Sequence, residues 1–112
     1  VDMERDALVA HVGDVVQGPV RLIPGGPDRI YRVGVVTGAA SAMLRDAADA
    51  GLDTLITGEG PHHSYNDAME FRVNAVYAGH YATETWGVRA LGAHIGERFG
   101  VPWDFIDAPT GL

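Results

Sequence analysis

The chain has 112 residues, 46% hydrophobic and 21% charged, a balance that suits one globular domain and excludes wholesale disorder. A formal net charge of -7 offers no basic stripe to displace counterions, which argues against a nucleic-acid partner and favours a divalent cation. There is no cysteine, so disulfides, thiolate zinc sites, iron–sulfur clusters and cysteine nucleophiles are excluded, and any metal must be held by histidine, carboxylate or water.

Residues 2–17 read as a helix, because Leu8, Val12, Val15 and Val16 recur at three- and four-residue steps. Residues 18–29 hold three prolines and three glycines and read as a loop, with an extended piece at Val20–Ile23. The β-branched run Ile30–Val36 predicts a first strand. Ser41 is placed to cap a helix that runs to Ala50 and ends at Gly51, with Leu44, Ala47 and Ala48 on one face. Asp53–Thr57 predicts a second strand, Ser64–Phe71 a helix, and Asn74–Ala78 a third strand. A helix from about Thr83 to Phe99 follows, its expected buried face being Val88, Leu91, Ile95 and Phe99. Trp103–Ile106 is expected to add a final strand. The first helix can cover either face. No run approaches the roughly 20 apolar residues of a membrane span. No signal peptide is visible, so a cytoplasmic location without membrane contact is expected.

Alternating strands and helices predict one α/β domain over residues 1–112, a mainly parallel sheet flanked by helices. In such sheets ligands bind beyond the carboxyl ends of the strands. Three segments end there: Thr37–Ser41, Gly58–His63 and Gly79–Glu84. His80 and Glu84 are one helical turn apart, so an imidazole nitrogen and a carboxylate oxygen can reach a single Zn, Mn or Fe ion. The spacing is common in helices, and a carboxylate at a helix start beside a histidine is the blander alternative. If strands two and three are neighbours, His62 and His63 approach the same place. Adjacent histidines point in different directions, and His63 is the better cleft residue. Glu59 and Asp67 are further acids, Asp67 as a first-turn helix residue. His11 and His94 read as helix-surface residues, and Trp86 and Trp103 as packing residues. Thr37–Ser41 reads as a tight turn, without a phosphate-loop pattern. Ser41 and Ser64 lack a nucleophile elbow.

The runs Ile56-Thr57-Gly58-Glu59, Ala78-Gly79-His80-Tyr81-Ala82-Thr83-Glu84 and Gly87-Val88-Arg89-Ala90-Leu91-Gly92 resemble the carboxyl-terminal half of the Nif-three-like family, also called GTP cyclohydrolase I type 2-like. Val35–Ser41 and Phe105–Pro109 add to the resemblance. It implies one half of a two-lobed protein that encloses a dinuclear metal site. His80 and Glu84 fall on its metal ligands, and His63 falls on a histidine that some members carry after the second strand. The amino-terminal half with its paired histidines has no counterpart before residue 37. The expectation is therefore an incomplete metal site in a divalent-metal-dependent, hydrolase-like protein acting on a small molecule, with nucleotides among the candidate substrates. Glu59 and His63 are the candidates for moving protons. Family members form ring-like hexamers, so a homo-oligomer is expected. A metal-handling or regulatory module without turnover is the alternative the same ligands allow.

Overall fold

The computed structural model describes residues 1–111. Its elements in chain order are β1 (Met3–Glu4), α1 (Arg5–Val16), β2 (Arg21–Ile23), β3 (Arg29–Ile30), β4 (Val33–Val35), a 3-10 turn at Ser41–Met43, α2 (Leu44–Asp49), β5 (Thr54–Thr57), α3 (Ser64–Phe71), β6 (Asn74–Tyr77) and α4 (His80–Phe99). The main sheet has the order β2-β6-β5-β4. β4, β5 and β6 run parallel, and β2 joins the β6 edge antiparallel. The mainly parallel α/β expectation therefore holds, with one reversed edge strand.

Alternation along the strands separates the two faces. Leu55, Ala75 and Tyr77 meet Leu44 and Ala47 of α2 and Ala68 of α3. Ile56, Val76 and Ala78 turn the other way, onto Leu8 and Val12 of α1. The first helix thus covers the face opposite α2 and α3. Asn74 is fully buried. Its side chain accepts from Gly26 N–H at 3.0 Å and donates to the Pro27 carbonyl at 2.9 Å, which ties the Pro/Gly loop to the sheet.

Several boundaries differ from the sequence reading, each for a local reason. The run Ile30–Val36 is split, because one Asp53 carboxylate oxygen accepts the N–H groups of both Tyr31 and Arg32. The first half, β3, pairs instead with β1, where Arg29 bridges Asp2 and Glu4. Ser41 is the first residue of the 3-10 turn rather than its cap, which is Ala40. The last helix begins at His80, not Thr83, directly after Gly79 at φ +91°.

The expected buried face of α4 is overturned: Val88, Leu91, Ile95 and Phe99 are all exposed, and Thr83 is the helix's buried residue. Length explains this. A four-residue strand spans about 13 Å, whereas a 20-residue helix spans about 30 Å, so most of α4 runs past the sheet. The expected strand at Trp103–Ile106 is absent as well. That segment turns back along α4 instead. The Trp103 ring fills the notch left by Gly92 and Gly96, and Arg89 stacks over Phe105 at 4.1 Å. No helix among the described residues is long and apolar enough to cross a membrane.

Candidate metal centre

Each parallel strand is followed by a glycine, and the three glycines lie side by side. Gly58 N–H donates to the Gly38 carbonyl at 2.7 Å, and Gly79 N–H donates to the Gly58 carbonyl at 2.9 Å. The hydrogen-bonded ladder is thereby carried past the ends of β4, β5 and β6. A Cβ on Gly58 would stand 2.6 Å from the Gly38 oxygen and 2.6 Å from the His80 Cα, so only glycine fits this approach. The Thr57 hydroxyl donates to the Gly38 carbonyl and accepts from Ala40 N–H, which holds the first loop to the second.

This seam presents three side chains together. Glu59 follows Gly58, and His80 and Glu84 occupy the start of α4. His80 Nδ1 lies 2.6 Å from Glu59 Oε1, and His80 Nε2 lies 3.3 Å from Glu84 Oε1. The hydrogen bond to the Glu59 carboxylate, with the Glu84 charge behind it, raises the His80 pKa above 6.5, while partial desolvation works the other way. With Nδ1–H donated to Glu59, a neutral His80 leaves Nε2 as an acceptor, 3.3 Å from Glu84 Oε1. Two acceptors then stand 3.3 Å apart, an arrangement that a proton or a cation shared by them relieves.

The dimensions of the donor set suit a metal ion. Ligands at about 2.0–2.1 Å from a tetrahedral zinc are separated by about 3.3 Å, and the Nε2 to Oε1 distance is 3.3 Å. A carboxylate on the second nitrogen of a ligating histidine is also the usual outer partner of such sites. The fit is to part of a site. Among the described residues, no group of three or more His, Asp or Glu side chains is arranged to hold an ion.

His62 and His63 are both exposed, in the turn before α3. The His63 carbonyl accepts from Asn66 and Asp67 N–H, but its ring makes no hydrogen bond or ion pair with Glu59, His80 or Glu84. The structure therefore brings Glu59, His80 and Glu84 together and leaves His63 outside the cluster. Sequence reasoning missed Gly38 as a site residue. A Cβ there would stand 2.7 Å from Glu84 Oε1 and 3.3 Å from His80 Nε2. Thr83 was missed too. A glycine after every parallel strand, aligned with the His-Glu turn, is the signal that could have found them.

A three-layer α/β domain with a histidine–carboxylate cluster at its strand ends is the class of protein that this architecture defines. The chain belongs to the Duf34/NIF3 (NGG1p interacting factor 3) family, whose model matches residues 1–110. It is 51% identical over 88 residues to a GTP cyclohydrolase 1 type 2 homolog of Deinococcus radiodurans, covering 79% of this chain and 34% of that protein. A homolog of the same name from Archaeoglobus fulgidus is 37% identical over 110 residues, 98% of this chain and 44% of the relative. Among solved structures, TTHA1606 from Thermus thermophilus superposes with a TM-score of 0.90 at 36% identity, covering 100% of this chain and 45% of that one. The chain thus spans less than half the length of these relatives.

Proposed function

We propose that this domain supplies two ligands, His80 Nε2 and Glu84 Oε1, to a divalent-metal site of a GTP cyclohydrolase 1 type 2-like hydrolase. The further ligands, and a second ion, would come from the part of the family protein that this chain does not span. The observation that supports the reading is the separation of the two acceptors, 3.3 Å, which equals the edge of a tetrahedral zinc site. A Zn, Mn or Fe ion held there would act as a Lewis acid on an electrophilic carbon or phosphorus.

The chain's own residues have separable tasks. Glu59 holds the Nδ1–H of His80, fixing the tautomer that leaves Nε2 free, so orientation is its first role. His63, exposed in the loop that follows β5, makes no hydrogen bond or ion pair with Glu59, His80 or Glu84 and would move a proton only on a substrate that reaches its loop. The absence of a Cβ on Gly38 leaves room for Glu84 Oε1 and His80 Nε2 beside its loop, and Gly58 lets the neighbouring backbone close up beneath them. A small nucleotide is the substrate class consistent with the relatives' name.

The test is a zinc titration of the 112-residue chain followed by NMR. Zinc should shift the His80 ring and Glu84 signals with millimolar affinity, because two ligands fall short of the three or four that hold zinc firmly. H80A and E84A should remove the response. No zinc-dependent shift at either residue refutes the reading, and micromolar or tighter binding refutes its half-site form.

A further inference from the structure

The Gly38 loop and the first turn of α4 come from distant parts of the chain, and one buried hydroxyl joins them. Thr83 Oγ1 accepts the Gly38 N–H at 3.0 Å. Its single proton is directed back into the helix, to the Gly79 carbonyl at 2.9 Å or the His80 carbonyl at 3.0 Å. Thr83 is 7% exposed, so water does not stand in readily for either partner. On the other side of the same loop, Gly38 has φ +70° and its Cα faces the two atoms proposed as ligands. The carbonyl of Gly38 is held as well, by Gly58 N–H, Glu59 N–H and the Thr57 hydroxyl. The amide of Gly38 thus depends on Thr83 while its oxygen is held by β5 and its loop.

We infer that Thr83 is the positioning residue of this centre: its hydroxyl clamps the Gly38 loop to the first turn of α4 and sets the gap between a bare Cα and the pair His80 Nε2 and Glu84 Oε1. Gly38 is the clearance residue of the same device. The inference rests on the metal reading above for its purpose, but not for its existence, since the clamp is built from protein groups alone. Without the hydroxyl, the Gly38 amide loses its acceptor and the loop can settle against the carboxylate. With a Cβ on Gly38, the Glu84 oxygen must move aside even though the clamp remains.

Thr83→Val keeps the shape and removes the hydroxyl, and Thr83→Ser restores it. Without added metal, T83V should speed hydrogen exchange of the Gly38 amide about tenfold, the loss of one buried hydrogen bond. The sheet amides of Leu55 and Val76 should keep their protection, which shows that the fold persists. T83V should also raise the zinc concentration needed to shift His80 about tenfold, and T83S should restore it. Gly38→Ala should abolish the zinc response of Glu84 while the Thr83 hydroxyl signal stays protected, and it serves also if T83V fails to fold. Unchanged Gly38 exchange in T83V overturns the clamp. Faster exchange with an unchanged zinc response overturns its positioning role. A wild-type chain that exchanges as expected but ignores zinc sinks the metal reading and leaves the clamp supported.

Discussion

Gly58→Ala is the perturbation that most directly measures the glycine seam. An added Cβ would meet the Gly38 oxygen at 2.6 Å, the His80 Cα at 2.6 Å and the Gly79 oxygen at 2.9 Å. All three are backbone atoms, so no side chain can rotate away. Overpacking of this kind costs about 1–3 kcal/mol, and the upper end applies where backbone must separate. Two ladder bonds share the position, Gly58 N–H to Gly38 and Gly79 N–H to Gly58, and their loss adds about 1 kcal/mol each. The expected destabilisation is about 3–5 kcal/mol. For a domain of this size that lowers Tm by at least about 12 °C. Denaturant unfolding of wild type and G58A, with the midpoint and slope both fitted, supplies the number. The matched control is Gly87→Ala, where a Cβ meets nothing within 4 Å. Replacing a mid-helix glycine there should stabilise by about 0.5–1 kcal/mol. A G58A chain within about 1 kcal/mol of wild type would refute the claim that the seam is close-packed.

Asn74→Ala should cost about 2–4 kcal/mol, because Gly26 N–H and the Pro27 carbonyl lose a buried partner; urea unfolding reads it directly. Leu44→Ala, at a side chain 1% exposed, should cost about 2–5 kcal/mol in the same assay. His80 has a folded pKa raised above 6.5 by Glu59 and then Glu84, so its stabilising contribution is full below 6.5 and is lost as pH rises through the folded value. Tm should therefore fall as the pH rises above about 6.5, and Glu59→Gln should flatten that dependence; an unchanged slope in the variant counts against the Glu59 contact. The proton on Nε2 competes with a cation, so zinc should be bound less well at about pH 6 than at about pH 8, as read from the His80 NMR response.

Elements set by short-range patterning were legible in the sequence. The helix Ser64–Phe71 has the bounds that its flanking signals predict, and the expected strands Asp53–Thr57 and Asn74–Ala78 each exceed β5 and β6 by a single residue. What failed depended on distant partners. Asp53 breaks the run Ile30–Val36 from outside it. The stripe on α4 has helical periodicity, which states that the residues share a face but not that a partner covers it. Trp103–Ile106 has strand composition, yet its aromatic ring finds a glycine notch on α4. At the candidate site, the His80–Glu84 pairing was legible from spacing and resemblance. The role of Glu59 was not, since its 2.6 Å contact with His80 spans 21 positions in the chain. His63 stands exposed in the loop expected of it, and loop membership alone does not set the direction of its ring.

The seam of glycines also bears on how this protein would answer mutagenesis. A scan that replaces each side chain by alanine passes over a floor made of main chain, because there is nothing there to remove. It would register Glu59, His80 and Glu84 as three separate contributors and miss the surface on which they stand. The same floor would be revealed by the opposite operation, adding one carbon at a time to Gly38, Gly58 and Gly79. Redesign follows the same division: a carbon added at Gly38 meets the movable end of Glu84, whereas one added at Gly58 meets main chain, so Gly58 is the fixed point around which any new chemistry must sit.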